Sequence, residues 1–113
     1  MGMKLRLEQG VVKIRISPDE KKVLESRKLL CEQLYINEDN QFTYTVSIKK
    51  DLEICLLKFG QHQLSVTVPE EKVRRWFNSN QIGIKETIVT DKGEYIVLTL
   101  EEDLPPRKFR KNN

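Results

Sequence analysis

No run of about 18 apolar residues occurs in this chain, so no stretch of it is expected to cross a membrane as a helix. The opening stretch, Met1 to Gly10, lacks the apolar centre of a secretory signal, and nothing there reads as a lipid-attachment signal. Glycine is scarce: Gly2, Gly10, Gly60, Gly83 and Gly93 all stand alone, which excludes a glycine-rich phosphate loop. Histidine is scarcer still. His62 is the only one, so neither an HExxH zinc motif nor a multi-histidine metal site can be built. There is no GxSxG nucleophile elbow. The two cysteines, Cys31 and Cys55, form no CxxC pair. Each lies in an apolar run, where a free thiol behaves as a small hydrophobe. The expectation is two buried, unbridged thiols and a reducing, cytoplasmic setting. No cofactor and no metal is implied.

What the chain does contain is charge and alternation. Of its 113 residues 33% are charged and 38% hydrophobic, with a formal net charge of +3. That charge is unevenly placed. The segment 105–113 holds Arg107, Lys108, Arg110 and Lys111 without one acid, leaving 16 basic and 17 acidic residues elsewhere. The length fits one domain, residues 1–104, followed by a basic tail, 105–113, expected to be flexible.

Along the chain, Lys4-Leu5-Arg6-Leu7-Glu8 and Val12-Lys13-Ile14-Arg15-Ile16 alternate with the period of half-buried strands around a turn at Gly10. Ser17-Pro18-Asp19-Glu20 reads as a helix start: Ser17 caps, Pro18 occupies the first turn, and Glu20 completes a capping box. This helix should end near Arg27 with Val23 and Leu24 inside. Strands follow at 29–36 and at Phe42 to Ile48, joined by the turn residues Asn37 to Asn40. The same order then recurs. Ile54 to Phe59 and Leu64 to Val68 are strands around an exposed turn containing His62. Pro69-Glu70-Glu71-Lys72 opens a helix carrying Val73, Trp76 and Phe77 as its apolar stripe. Ile82 to Val89 and Tyr95 to Leu100 close the series around Gly93.

Two ββαββ halves, about 4–48 and 54–100, therefore suggest an internal repeat with a pseudo-twofold axis and equivalent helices starting at Pro18 and Pro69. Aligning the two prolines puts the preceding strands one residue out of phase. The expected fold is α+β, with about eight mostly antiparallel strands and two short helices. Neither half has enough apolar surface to close a core alone, so the sheets should combine into a barrel or closed sandwich.

At the strand and tryptophan residues the chain resembles a family of short bacterial proteins of unknown function. The likeness runs through Met3-Lys4-Leu5-Arg6-Leu7, Lys13-Ile14-Arg15-Ile16-Ser17 and Phe42-Thr43-Tyr44. It continues in Val66-Thr67-Val68-Pro69, in Trp76 with Gln81-Ile82-Gly83-Ile84, and in Ile96 to Leu104. The resemblance implies no catalytic residue.

Three function classes stay open. The first is a non-enzymatic binding or accessory module acting through contacts with a protein partner. The second is weak, non-specific nucleic-acid binding. There the tail's Arg107, Lys108, Phe109, Arg110 and Lys111 meet phosphates and stack on a base. Lys4, Arg6, Lys13 and Arg15 add cations on the outer face of one hairpin. The third is a small enzyme with a site between the halves.

Overall fold

A computed structural model describes residues 2–103 of the chain. The elements are β1 (Lys4–Glu8), β2 (Val11–Ile16), α1 (Pro18–Arg27), β3 (Leu29–Asn37) and β4 (Asn40–Lys49). The second half supplies β5 (Leu56–Gly60), β6 (Gln63–Pro69), α2 (Glu70–Phe77), β7 (Gly83–Val89) and β8 (Tyr95–Glu102). The fold is α+β. Its strands make two four-stranded sheets, sheet A in the order β1-β2-β8-β7 and sheet B in the order β3-β4-β6-β5. The four hairpin pairs are antiparallel, whereas β2–β8 and β4–β6 run parallel and join the first half to the second.

The sheets do not close into a barrel, which corrects that part of the expectation. The pairing shows why. Each sheet ends in two hairpin strands, β1 and β7 in one and β3 and β5 in the other, and no ladder connects the sheets. They meet instead through side chains, and one cluster of buried residues draws on both inner faces and both helices.

Exchanging the first four strands for the last four turns one strand order into the other. The registers follow. Leu5 faces Ile14 as Leu57 faces Val66, a shift of 52 (5 to 57, 14 to 66). Leu30 faces Val46 as Ile84 faces Leu100, a shift of 54 (30 to 84, 46 to 100). The parallel pairs Ile14–Leu100 and Val46–Val66 obey both shifts together. All four of these residues are fully buried and form the centre of the core.

Helix α1 has the capping box read from the sequence: Glu20 N donates to Ser17 Oγ at 3.1 Å, and Ser17 N donates to Glu20 Oε1 at 2.8 Å. Lys28 stops it in the left-handed region, at φ 63°. Only Leu24 of this helix is buried, and Val23 is exposed, against expectation. A second anchor replaces Val23. The Lys21 ammonium lies 5.2 Å from the Phe77 ring centre and bonds Glu102 at 3.2 Å, tying α1 to α2 and β8.

Helix α2 starts one position later relative to its proline. Pro18 is the first helical residue of α1, but Pro69 ends β6 and is itself the cap of α2, without a side-chain bond. By the shift of 52, Pro69 stands where Ser17 does, so the helices correspond and the prolines do not. That accounts for the one-residue phase difference. Trp76 corresponds to Leu24, is fully buried, and donates its indole N–H to the Ile82 carbonyl at 3.1 Å.

Candidate functional site

One cluster of titratable groups lies partly buried between α2, β7 and the start of β5. Cys55, just ahead of β5, donates its backbone N–H to Glu86 Oε2 at 3.0 Å, and Lys72 Nζ donates to Glu86 Oε1 at 2.8 Å. Burial pushes the Cys55 thiol up to about 12, and its bond to the Glu86 carboxylate pushes the same way. Burial also raises Glu86, but the bonds from Lys72 and from the thiol and backbone of Cys55 outweigh it, and its carboxyl titrates below the usual range. A thiol held this firmly protonated is a poor nucleophile at neutral pH. The cluster instead pins α2, β7 and the start of β5 together. Glu86 was not singled out from the sequence, although a signal existed: Ile84, Glu86 and Ile88 share one face of β7, so an acid sits among inward residues. Among the described residues no three metal-ligating side chains converge.

The cations Lys4, Arg6, Lys13 and Arg15 do gather, on the outer face of sheet A. Lys4 lies opposite Arg15 and Arg6 opposite Lys13. Together they line a shallow depression. Acids are threaded among them. Lys4 meets Asp103 at 2.6 Å, Arg15 and Lys13 meet Glu101 at 3.2 and 4.0 Å, and Arg6 meets Glu8 at 3.9 Å. Four cations thus share three acids, and little field is left to draw a polyanion. The tail residues Arg107, Lys108, Phe109, Arg110 and Lys111 lie outside the described residues.

The outer face of sheet B has the same backbone and a different chemistry. At the positions matching Arg15 and Glu101 stand Thr67 and Ser47, whose hydroxyls lie 3.5 Å apart. Gln33, Gln41, Thr43, Thr45 and Gln63 extend this polar surface, and Lys49 and Lys58 share the face. Cys31 is on it too and is exposed, which corrects the expectation of two buried thiols; both cysteines are unbridged. The reason is parity: Leu30 points into the core, so its neighbour on an edge strand points out. His62 is exposed, as expected of its turn. Gln61 and His62 take positive φ values of 52° and 64° between β5 and β6.

The turn end of sheet B is apolar on its inner side. Phe42 stacks 6.3 Å from Phe59 and 6.0 Å from Tyr44. Beyond them Leu34 is 56% exposed, Ile36 61% and Phe59 67%, while Tyr35, on the other face of β3, is 72% exposed. Ile36, Phe42, Phe59 and His62 line a cleft at this end. Local sequence patterns such as alternation, caps and turns mark these residues only as strand faces, because exposure depends on what the opposite sheet covers.

No curated protein and no solved structure matches this chain. Residues 3–108 match the Family of unknown function (DUF7009), and the chain belongs to that family.

Proposed function

We propose that this domain is a non-enzymatic binding module that works through protein contacts, with its contact surface at the turn end of sheet B. The observation that carries the reading is the crowding of Leu34, Ile36 and Phe59, all more than half exposed, around Phe42 at one sheet end. Contiguous apolar surface rimmed by polar residues marks interaction sites. Aromatic residues are enriched in such sites. We read residues 1–104 as one unit with an internal repeat, 4–48 and 54–100. On that reading two similar scaffolds carry different outer surfaces, one ion-paired and one mostly neutral and polar; the turn end of sheet B gathers its exposed apolar residues on the inner side, whereas Leu7, Val89 and Tyr95 at that of sheet A divide between the two faces.

The test is a displayed peptide library panned on the full chain. Enriched peptides should be extended and apolar, and should bind at least about tenfold more weakly to the Ile36→Ser/Phe59→Ser double variant with an unchanged melting temperature. Peptides that bind both proteins equally, or no enrichment at all, would remove this surface from the reading.

A second reading, weak nucleic-acid binding through residues 105–113, rests on the four cations of that segment, because the depression formed by Lys4, Arg6, Lys13 and Arg15 is already ion-paired. A salt titration with oligonucleotides separates the two. Tail contacts to four phosphates give a log–log slope of roughly −3 to −4, and a chain ending at Leu104 should lose the binding. Equal binding by both chains would place the contact on the sheet A face, and no binding at low salt would remove the class.

A further inference from the structure

At its turn end the outer face of sheet B forms an open depression of about 670 Å³, a size within the ~300–1,000 Å³ of ligand sites. Gln33 of β3, Gln41, Thr43 and Thr45 of β4, Gln61 of the β5–β6 turn and Gln63 of β6 line it. Among the described lining residues Asp39, in the β3–β4 turn, is the one acid, and none is a lysine or arginine. The build of the sheet does not demand these amides and hydroxyls. At the matching positions of sheet A, Val97, Tyr95 and Val11 stand in place of Thr43, Gln41 and Gln63. Their bonding capacity is largely unspent. Gln63 Nε2 donates to Ser65 Oγ at 3.0 Å, whereas the Gln41 side-chain oxygen is buried without a partner. Gly60, opposite Gln63 in β5, leaves the face open beside it. Neither a positive φ nor an atom within 4 Å of a Cβ asks for glycine at that position.

We propose that this depression binds a neutral carbohydrate, at a site separate from the apolar surface on the inner side of the same sheet end. The chemistry of the lining selects the class. A primary amide both donates and accepts, and so does a hydroxyl. An apolar ligand would strip these groups of water and return no bond. A phosphate or carboxylate would meet Asp39 without a lining cation to offset it. A polyol answers donors and acceptors alike and brings no charge, and Asp39 can accept from its hydroxyls. Tyr35, 72% exposed, stands opposite Gln41 in the β3–β4 ladder and offers an aromatic ring at the rim for the C–H face of a sugar. The site is open to water, so binding is weak.

The experiment is a two-dimensional NMR titration of the full chain with the neutral oligosaccharides cellopentaose, maltohexaose, laminarihexaose and chitopentaose. Each is added to about 5 mM, which half-fills a site whose dissociation constant is the same. At least one sugar should move the side-chain amide signals of Gln33, Gln41 and Gln63 together with the signals of Tyr35. Gln33→Ala/Gln63→Ala removes two amides at exposed positions. It should weaken that binding at least about tenfold with an unchanged melting temperature, because sugar hydroxyls lose their partners. Ile36→Ser/Phe59→Ser, altered on the inner side, should bind as the unaltered chain does. Absence of shifts with every sugar overturns the proposal, as do shifts confined to other faces. Equal binding by the Gln33/Gln63 variant, or lost binding by the inner-side variant, overturns it too. A single-stranded oligonucleotide that moves the same signals at lower concentration would give the face to nucleic acid instead.

Discussion

Trp76 and Cys55 show how much a single position can carry. Trp76 fills the site that Leu24 fills in the other half, with its indole N–H bonded to the Ile82 carbonyl. Trp76→Ala should cost about 3–5 kcal/mol, read as a lower melting temperature, because the cavity is large and the surroundings are two rigid sheets. An unchanged melt would mean that the ring is not holding α2. At Cys55 and Glu86 the effect depends on pH, and the two groups act at opposite ends of the scale. Glu86 titrates lower in the folded chain than unfolded, so its contribution is present above the ordinary glutamate range and is lost as acid protonates it. The Cys55 thiol is raised to about 12, so its contribution is full below the ordinary thiol range and fades as pH climbs toward that value. Urea melts across pH should therefore show Glu86→Gln removing the acid limb and Cys55→Ala the alkaline one. A thiol reagent at neutral pH should label exposed Cys31 at once and Cys55 only on unfolding; equal rates would contradict the burial described.

Among the elements, what is local was legible and what depends on neighbours was not. The capping box at Ser17 and Glu20, the turns at Gly10 and Gly93, and the burial of Trp76 follow from residues within a few positions of one another. Ser17→Ala should cost about 1 kcal/mol, seen as a lower urea midpoint, while the slope stays the same. Cys31 was misplaced because an apolar run on an edge strand looks like one on a central strand. Val23 was misplaced because α1 meets the sheets along a narrow line, with Lys21 supplying the second hold. Glu86 and the Leu34–Ile36–Phe59 surface escaped for a related reason: whether an inward position is covered is decided by the facing sheet. Gly83 was read simply as an isolated glycine, yet a Cβ there would collide with the Leu100 carbonyl of the adjacent strand. Gly83→Ala should therefore push β7 off β8 and destabilise the protein more than Gly93→Ala, where nothing lies nearby and only the positive φ of 81° resists. A calorimetric comparison of the two variants decides the order.

At the scale of the molecule, the two sheets are equivalent in strand order and unequal in how the chain reaches them. Sheet B draws all its strands from the middle of the chain, Leu29–Pro69, whereas sheet A takes β1 and β2 from one end and β7 and β8 from the other. Across its central parallel pair, Ser47 and Thr67 in sheet B are 20 positions apart, and Arg15 and Glu101 in sheet A are 86 apart. Closing the longer loop costs about 1.3 kcal/mol more in chain entropy. Two sheets of the same strand order thus close loops of very different length. The middle sheet should assemble early, while in the outer one the β1–β2 hairpin waits for β8 as its second neighbour. Pulse-labelled hydrogen exchange during refolding should find β4 and β6 amides protected before those of β2 and β8, and simultaneous protection would mean that loop closure does not set the order. During synthesis the same asymmetry becomes a matter of timing: every strand of sheet B exists before β7 and β8 are made, so one half of the molecule can take its shape while the other still waits for its last strands.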